Sequence, residues 1–223
     1  MEETSNVLFS IIGIEVTKPV VTSWVIMLVL ILLSILVTRN LKDVPKPFQS
    51  MVEMAIEKLE KFFADILGYK YMRKYFHIFA TLFIFIVISN YSGLLPGAGK
   101  LFAVPTASLS VAAGLAVVAF MTTHAIGLSC QGPGKYLKSF LKPFVLMLPL
   151  ALIEQAVRPF SLALRLYGNL YGEEQVTEQL AEMFPIILPL VMQVLSLMFC
   201  LIQAMVFTML LAIFVHEAIG EEE

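Results

Sequence analysis

The chain is short of charge, of cysteine and of phosphate-binding motifs, and each shortage removes a class of protein. Only 14% of its 223 residues are Asp, Glu, Lys or Arg, while 59% are hydrophobic and the mean hydropathy is +0.86. Water-soluble domains are about half apolar and about a quarter charged, so this composition belongs in a lipid bilayer. The formal net charge of -2, from 15 cationic and 17 acidic residues, offers no basic face to neutralise phosphates, and a nucleic-acid partner is excluded. Cys130 and Cys200 are the only cysteines and form no Cys-x-x-Cys pair. They read as small packing residues, with no disulfide framework and no metal site. No Gly-rich phosphate loop ending in Lys-Ser or Lys-Thr occurs, so the chain is expected to bind no nucleotide or cofactor and to hold no catalytic site of its own. Met1 to Asn6 is acidic and lacks the basic region of a signal peptide, which predicts that the first apolar run is retained.

What is present is a succession of long apolar runs. Residues 20–38 are close to the roughly 20 residues a helix needs to cross hydrocarbon, with Trp24 and Arg39 as interfacial anchors. Residues 44–68 differ in kind. After Pro45 and Pro47, apolar Met51, Met54, Ala55, Leu59, Phe62, Phe63 and Ile66 recur at helical spacing opposite Glu53, Glu57, Lys58, Glu60 and Lys61. That pattern predicts an amphipathic helix on the membrane surface or against a partner. Residues 77–95 and 104–128 form the second and third spans, joined by a Gly/Pro loop, and the third carries Ala107, Ser108, Ala112, Ala113, Gly114, Ala116 and Ala119. Small residues of this kind let membrane helices approach closely. A polar turn, 129–142, leads to two segments, 143–179 and 184–216, that are longer than a perpendicular crossing needs. A helix over the second would be about 48 Å long against a hydrocarbon core of about 30 Å. Pro185 and Pro189 stand at its start, where proline is tolerated. The expectation is a long, strongly tilted hairpin.

The fold class is therefore an all-α integral membrane protein in a single membrane domain: about five membrane helices plus one amphipathic surface helix. Eleven of the fifteen Lys and Arg residues fall in 39–74 and 135–142, which places those loops and the C-terminus in the cytoplasm. The N-terminus, the loop around 96–103 and the acidic connection 173–182 then lie outside.

Ion-active residues concentrate between Leu152 and Glu174, where Glu154, Arg158 and Arg165 interrupt an apolar run. An arginine at mid-membrane costs between about 2.5 and 17 kcal/mol, so a function is the first reading of one that persists. Glu154 and Arg158 are four apart and can pair along one helix. Arg165 has no such acid; its neighbours one turn away are Ser161 and Asn169, which cannot cancel a charge. The missing anion comes either from Glu174 or from a carboxylate on another chain, and the spacing favours the latter. Gln193, Ser196, Cys200 and Gln203 form a second polar stripe, at three- and four-residue spacing, on the last helix.

The segment Arg-Pro-Phe-Ser-Leu-Ala-Leu-Arg-Leu-Tyr-Gly-Asn, from Arg158 to Asn169, resembles the signature of subunit a of the F-type ATP synthase family. Further matches are the turn from Asn90 to Gly97, Leu201-Ile202-Gln203-Ala204, and Phe207 to Leu211. The resemblance implies a stator subunit in the membrane Fo sector, pressed against a ring of c subunits that each carry one mid-membrane carboxylate. Peripheral-stalk b subunits would link it to the soluble F1 sector. Carried over position by position, it implies Arg165 as the essential cation, Asn169 as its helix companion, Glu174 as the acid of the outer access path and Gln203 as the facing glutamine. Some members pair that acid with a histidine on the last helix, where this chain has Ser196. Two other classes fit parts of the pattern. A self-contained channel or secondary transporter would be expected to show internal repeats, and none is seen. A non-conducting scaffold would use the amphipathic helix. His77, His124 and His216 fall at span ends and receive no role, and Asn90 reads as a bond between helices.

Overall fold

A computed structural model describes residues 7–11, 14–39, 47–95, 103–139, 148–183 and 187–220. A short antiparallel hairpin comes first, β1 (Val7–Ile11) with β2 (Ile14–Thr17). Seven α-helices follow: α1 (Lys18–Thr38), α2 (Pro47–Leu67), α3 (Tyr69–Ser92), α4 (Leu109–Gln131), α5 (Pro133–Ser139), α6 (Leu148–Met183) and α7 (Ile187–Ile219). A 3-10 turn, Pro105–Ala107, precedes α4. The protein is an all-α integral membrane protein. Among the described residues, four helices are long and apolar enough to cross a bilayer, namely α1, α3, α4 and most of α7. The amphipathic α2 and the longer α6 carry many of the charges.

Local chemistry sets the element ends. Proline opens α2 and α5 and stands in the first turn of α1, where its missing N–H is not needed. Gly68, at φ +78°, lets the chain leave α2 and enter α3 with no intervening loop. Gly132, at φ +77°, does the same between α4 and α5. Both positions need a backbone that L side chains adopt only under strain.

One buried cluster joins α2, α3, α4, α6 and α7. The close layer is α4 on α6 and α7, where Ala112, Ala116 and Ala119 are fully covered. Their size lets Leu162, Ala163 and Leu166 of α6, and Ala204, Phe207, Leu211 and Val215 of α7, share one core. At the far end of α4 the approach is tighter still. A Cβ on Gly127 would stand 2.6 Å from the Tyr136 ring and 3.0 Å from the Ala218 carbonyl oxygen. Three buried hydroxyls are satisfied within their own helices: Ser23 donates to the Pro19 carbonyl at 2.9 Å, Thr123 to Ala119 at 3.0 Å and Thr208 to Ala204 at 2.8 Å, whereas those of Ser89 and Thr106 have no partner among the described residues.

Several details differ from the sequence expectations. The N-terminal hairpin is not signalled by the hydropathy pattern. Helix α3 starts at Tyr69, so Lys70, Arg73 and Lys74 lie within the helix and ahead of its apolar part. The polar turn after α4 contains a helix of its own, α5. The acidic stretch from Glu173 to Glu182 is not a loop but the last turns of α6. Only the C-terminal half of α2's apolar face is covered, with Phe63, Ala64 and Leu67 buried; Phe48, Met51 and Met54 are exposed. Residues 44–46, 96–102, 143–147 and 184–186 lie outside the described residues, and Pro45 and Pro185 with them.

Nothing occupies the space beside Gly68, so Gly68→Ala tests backbone strain alone. It should cost about 1–3 kcal/mol, read as a lower thermal unfolding midpoint of the purified protein in detergent.

Candidate functional site

Helix α6 spans 36 residues and α7 spans 33, about 54 and 50 Å of helix. Two side-chain links join them. Asn169 donates from Nδ2 to Oε1 of Gln203 at 2.7 Å, and Arg158 reaches Oε2 of Glu217 at 2.6 Å. The residue numbers rise on one helix as they fall on the other, so the pair is antiparallel.

The inner stripe of α6 is Leu162, Ala163, Leu166 and Leu170, all buried. Arg165, about 100° round from Leu166, is exposed on the open side, as are Ser161 one turn before it and Asn169 one turn after. Val157, Phe160 and Leu164 on the same helix are exposed too. Among the described residues Arg165 has neither a hydrogen bond nor an ion pair. An unpaired guanidinium therefore sits among apolar side chains that have nothing packed on them.

On the other side of the α6–α7 seam lies a cavity of about 550 Å³. Glu173, Glu174 and Glu178 line it from α6, Gln193 and Ser196 from α7, and Asn90 from α3. Glu173 and Glu174 are neighbours on a helix and point about 100° apart, and the cavity is wide enough to take both. It reaches Leu170 and Cys200, which adjoin Asn169 and stand one turn before Gln203. Neither Asn169, Gln203 nor Arg165 lines it. The polar space thus stops at the level where the Asn169–Gln203 bond crosses the seam.

The walls are pinned by side-chain to backbone bonds. Asn90 donates to the Cys200 carbonyl at 3.1 Å, Tyr91 to Leu197 at 3.2 Å and Gln193 to Leu94 at 3.2 Å. The Ser196 hydroxyl donates to the Met192 carbonyl at 2.9 Å. Two buried polar atoms here have no protein partner among the described residues, Nε2 of Gln203 and Oδ1 of Asn90. An unmet buried donor or acceptor costs about 1–3 kcal/mol; the Asn90 oxygen can accept from water or meet a cation, whereas the Gln203 N–H can only donate, to water or to a carboxylate.

Arg158 is the opposite case to Arg165. Its Nη2 lies 2.5 Å from Oε1 of Glu154 and 2.6 Å from Oε2 of Glu217, and the guanidinium sits 4.7 Å from the Phe214 ring centre. The Glu154 pair was legible from the four-residue spacing. Glu217 was not, although an acid in the last turn of the last helix was a signal.

The fold and this site define a class: an all-helical integral membrane protein whose longest helices present a lone cation beside a blind polar cavity. Residues 20–216 match the family model described as ATP synthase A chain. Similar proteins include ATP synthase subunit a 2 of Bradyrhizobium sp., 35% identical over 97% of this chain and 95% of that one. ATP synthase subunit a 1 of Syntrophotalea carbinolica is 39% identical over 89% and 84%, and ATP synthase subunit a of Trichlorobacter lovleyi is 35% identical over 91% and 87%. The chain belongs to the ATP synthase subunit a family, a membrane component of the ATP synthase complex.

Water in the cavity is open to test in a background with Cys130 and Cys200 replaced by alanine. Single cysteines at Thr177 and Gln193, both cavity-lining, should react with a hydrophilic maleimide. A cysteine at Leu166, which is fully buried, should not react.

Proposed function

We propose that this subunit provides two offset half-channels for H+ or Na+, so that an ion crosses only by riding a carboxylate of a rotating c ring. The ring would lie against the open side of α6, where Arg165 stands. The outer half-channel is the cavity lined by Glu173, Glu174, Gln193 and Ser196, which ends at Asn169 and Gln203. An ion leaving it neutralises a ring carboxylate, and a neutral carboxyl can face lipid where an ionised one cannot. Arg165 attracts the carboxylate that has just released its ion to the cytoplasmic side and blocks a direct path between the half-channels. Guanidinium groups keep their proton in proteins, so it acts as a fixed charge and not as a relay.

The observation that carries this reading is the pairing of an unanswered cation on an exposed apolar face with a polar cavity that stops about one turn short of it. Either alone would fit a structural arginine or a solvent pocket. Together they fit a route that needs a second, moving component. One charge falling through 100 mV releases only about 2.3 kcal/mol, so several ions must be summed per ATP, which rotation does. The b subunits and the F1 sector complete the coupling, and catalysis belongs to F1. The whole chain acts as one membrane domain, with the N-terminus outside and the C-terminus in the cytoplasm, as the clusters of Lys and Arg favour.

Arg165→Ala should abolish both ATP-driven pumping and gradient-driven synthesis in membranes where the complex assembles. Arg165→Lys, which keeps the charge and loses the planar fork, should be severely impaired. Glu174→Gln should slow ion flux in vesicles with milder loss, since Glu173 shares the cavity. Coupled activity at wild-type level in Arg165→Ala would refute the role, and so would a purified chain that conducts in vesicles with no ring present.

A further inference from the structure

Pro159 lies inside α6, directly after Arg158. Its ring has no N–H, so the carbonyl of Gln155 loses its helical donor and the helix is weakened at that turn. Membrane helices carry such breaks where neighbouring groups compensate. Here the guanidinium of Arg158 links Glu154, in the turn before the break, to Glu217 on α7, and it lies over Phe214 of the same helix. Gln155, Arg158, Pro159 and Thr123 surround a void of about 10 Å³, room for about one water. The break is therefore tied ionically to α7, with a small void beside it.

Arg165 stands seven residues, about two turns, beyond Arg158 and one turn before Asn169. With no partner of its own among the described residues, its position is set by its backbone, and that backbone is fixed to α7 on both sides. The Arg158–Glu217 bridge holds one side and the Asn169–Gln203 hydrogen bond the other. Rotation of α6 at the proline would turn Arg165 toward the seam and bring the buried leucines out.

We propose that Arg158 is a positioning residue: bridging Glu154 and Glu217 across the Pro159 break, it fixes the rotation of α6 on α7 and so keeps Arg165 on the open face. The inference rests on the role given to Arg165 above. It explains why α6 holds two arginines in opposite circumstances, one saturated with acids and one with none. The first maintains the geometry that the second uses.

The test uses intact ATP synthase in inverted membrane vesicles, reading ions pumped per ATP hydrolysed, normalised to assembled complex. A displacement of about 1 Å can cost a positioned group about a hundredfold, so Arg158→Ala should lower coupling at least about tenfold while ATP hydrolysis continues. Pro159→Ala returns the missing helical hydrogen bond, and the double variant Arg158→Ala/Pro159→Ala should recover most of the coupling. Arg165→Ala should stay inactive in the Pro159→Ala background. If Arg158→Ala hinders assembly, Glu217→Leu, which keeps similar bulk and cannot accept from Arg158, is read the same way. Normal coupling in Arg158→Ala or Glu217→Leu, with Arg165→Ala inactive, overturns the brace and leaves the role of Arg165 intact. A double variant as poor as the single one also overturns it, since a part taken directly in ion transfer would not be rescued by mending the helix. Normal coupling in Arg165→Ala removes the reading on which both depend.

Discussion

The arrangement depends on how a guanidinium is tolerated in an apolar surrounding. At two positions of α6 the chain meets that cost in contrasting ways. Arg158 is met within the chain, by two carboxylates and an aromatic face. Arg165 is met by nothing among the described residues, and in the function proposed above its counter-charge is a carboxylate of the ring. The second arginine is kept in place by two polar ties to α7, Arg158–Glu217 and Asn169–Gln203, and by apolar packing on its reverse side. Leu162, Leu166 and Leu170 bury against α4 and α7, and the alanines of α4 bring those helices close enough to grip.

The packing also separates the polar space from the exposed face. Below the cavity, the seam between α6 and α7 passes from hydrogen-bonding residues to buried apolar ones, Leu166, Phe207 and Leu211. The Asn169–Gln203 bond marks the change. A polar void ending on a dry seam is stable because its lining is tied to backbone carbonyls of α3 and α7, leaving few groups free to collapse into it. Among the described residues, Nε2 of Gln203 and Oδ1 of Asn90 are buried near this level without a partner.

Much of this was legible in the sequence, for physical reasons. Hydropathy marks long buried or lipid-facing helices strongly, so the long final pair and the spans before it stood out. The four-residue rule found the Glu154–Arg158 pair, and the same spacing along the last helix found Gln193, Ser196 and Gln203. What depends on helix rotation and hairpin register was not legible. Glu217 lies 59 residues from Arg158, and nothing local says that they meet. The sequence left open whether Glu173 or Glu174 is the access acid, because neighbouring residues on a helix point about 100° apart; the broad cavity admits both. The hairpin of β1 and β2 is too short for alternation to register against the apolar run that follows it. The acidic end of α6 looked like a loop because charge density was taken as the signal, while the helix continues on the strength of its own backbone bonds.

Helix α1 stands apart from the rest. Only Pro19, Ser23 and Ile26 are buried, all in its first half, and Leu28, Ile31, Leu32, Leu33, Ile35 and Leu36 are bare. It is attached at one end and free along most of its length. Bilayer thickness therefore acts on this molecule through two different mechanics. The interlocked helices must deform the lipid around them, whereas α1 can lean to match a thinner or thicker membrane without disturbing a single contact of the α4–α6–α7 core.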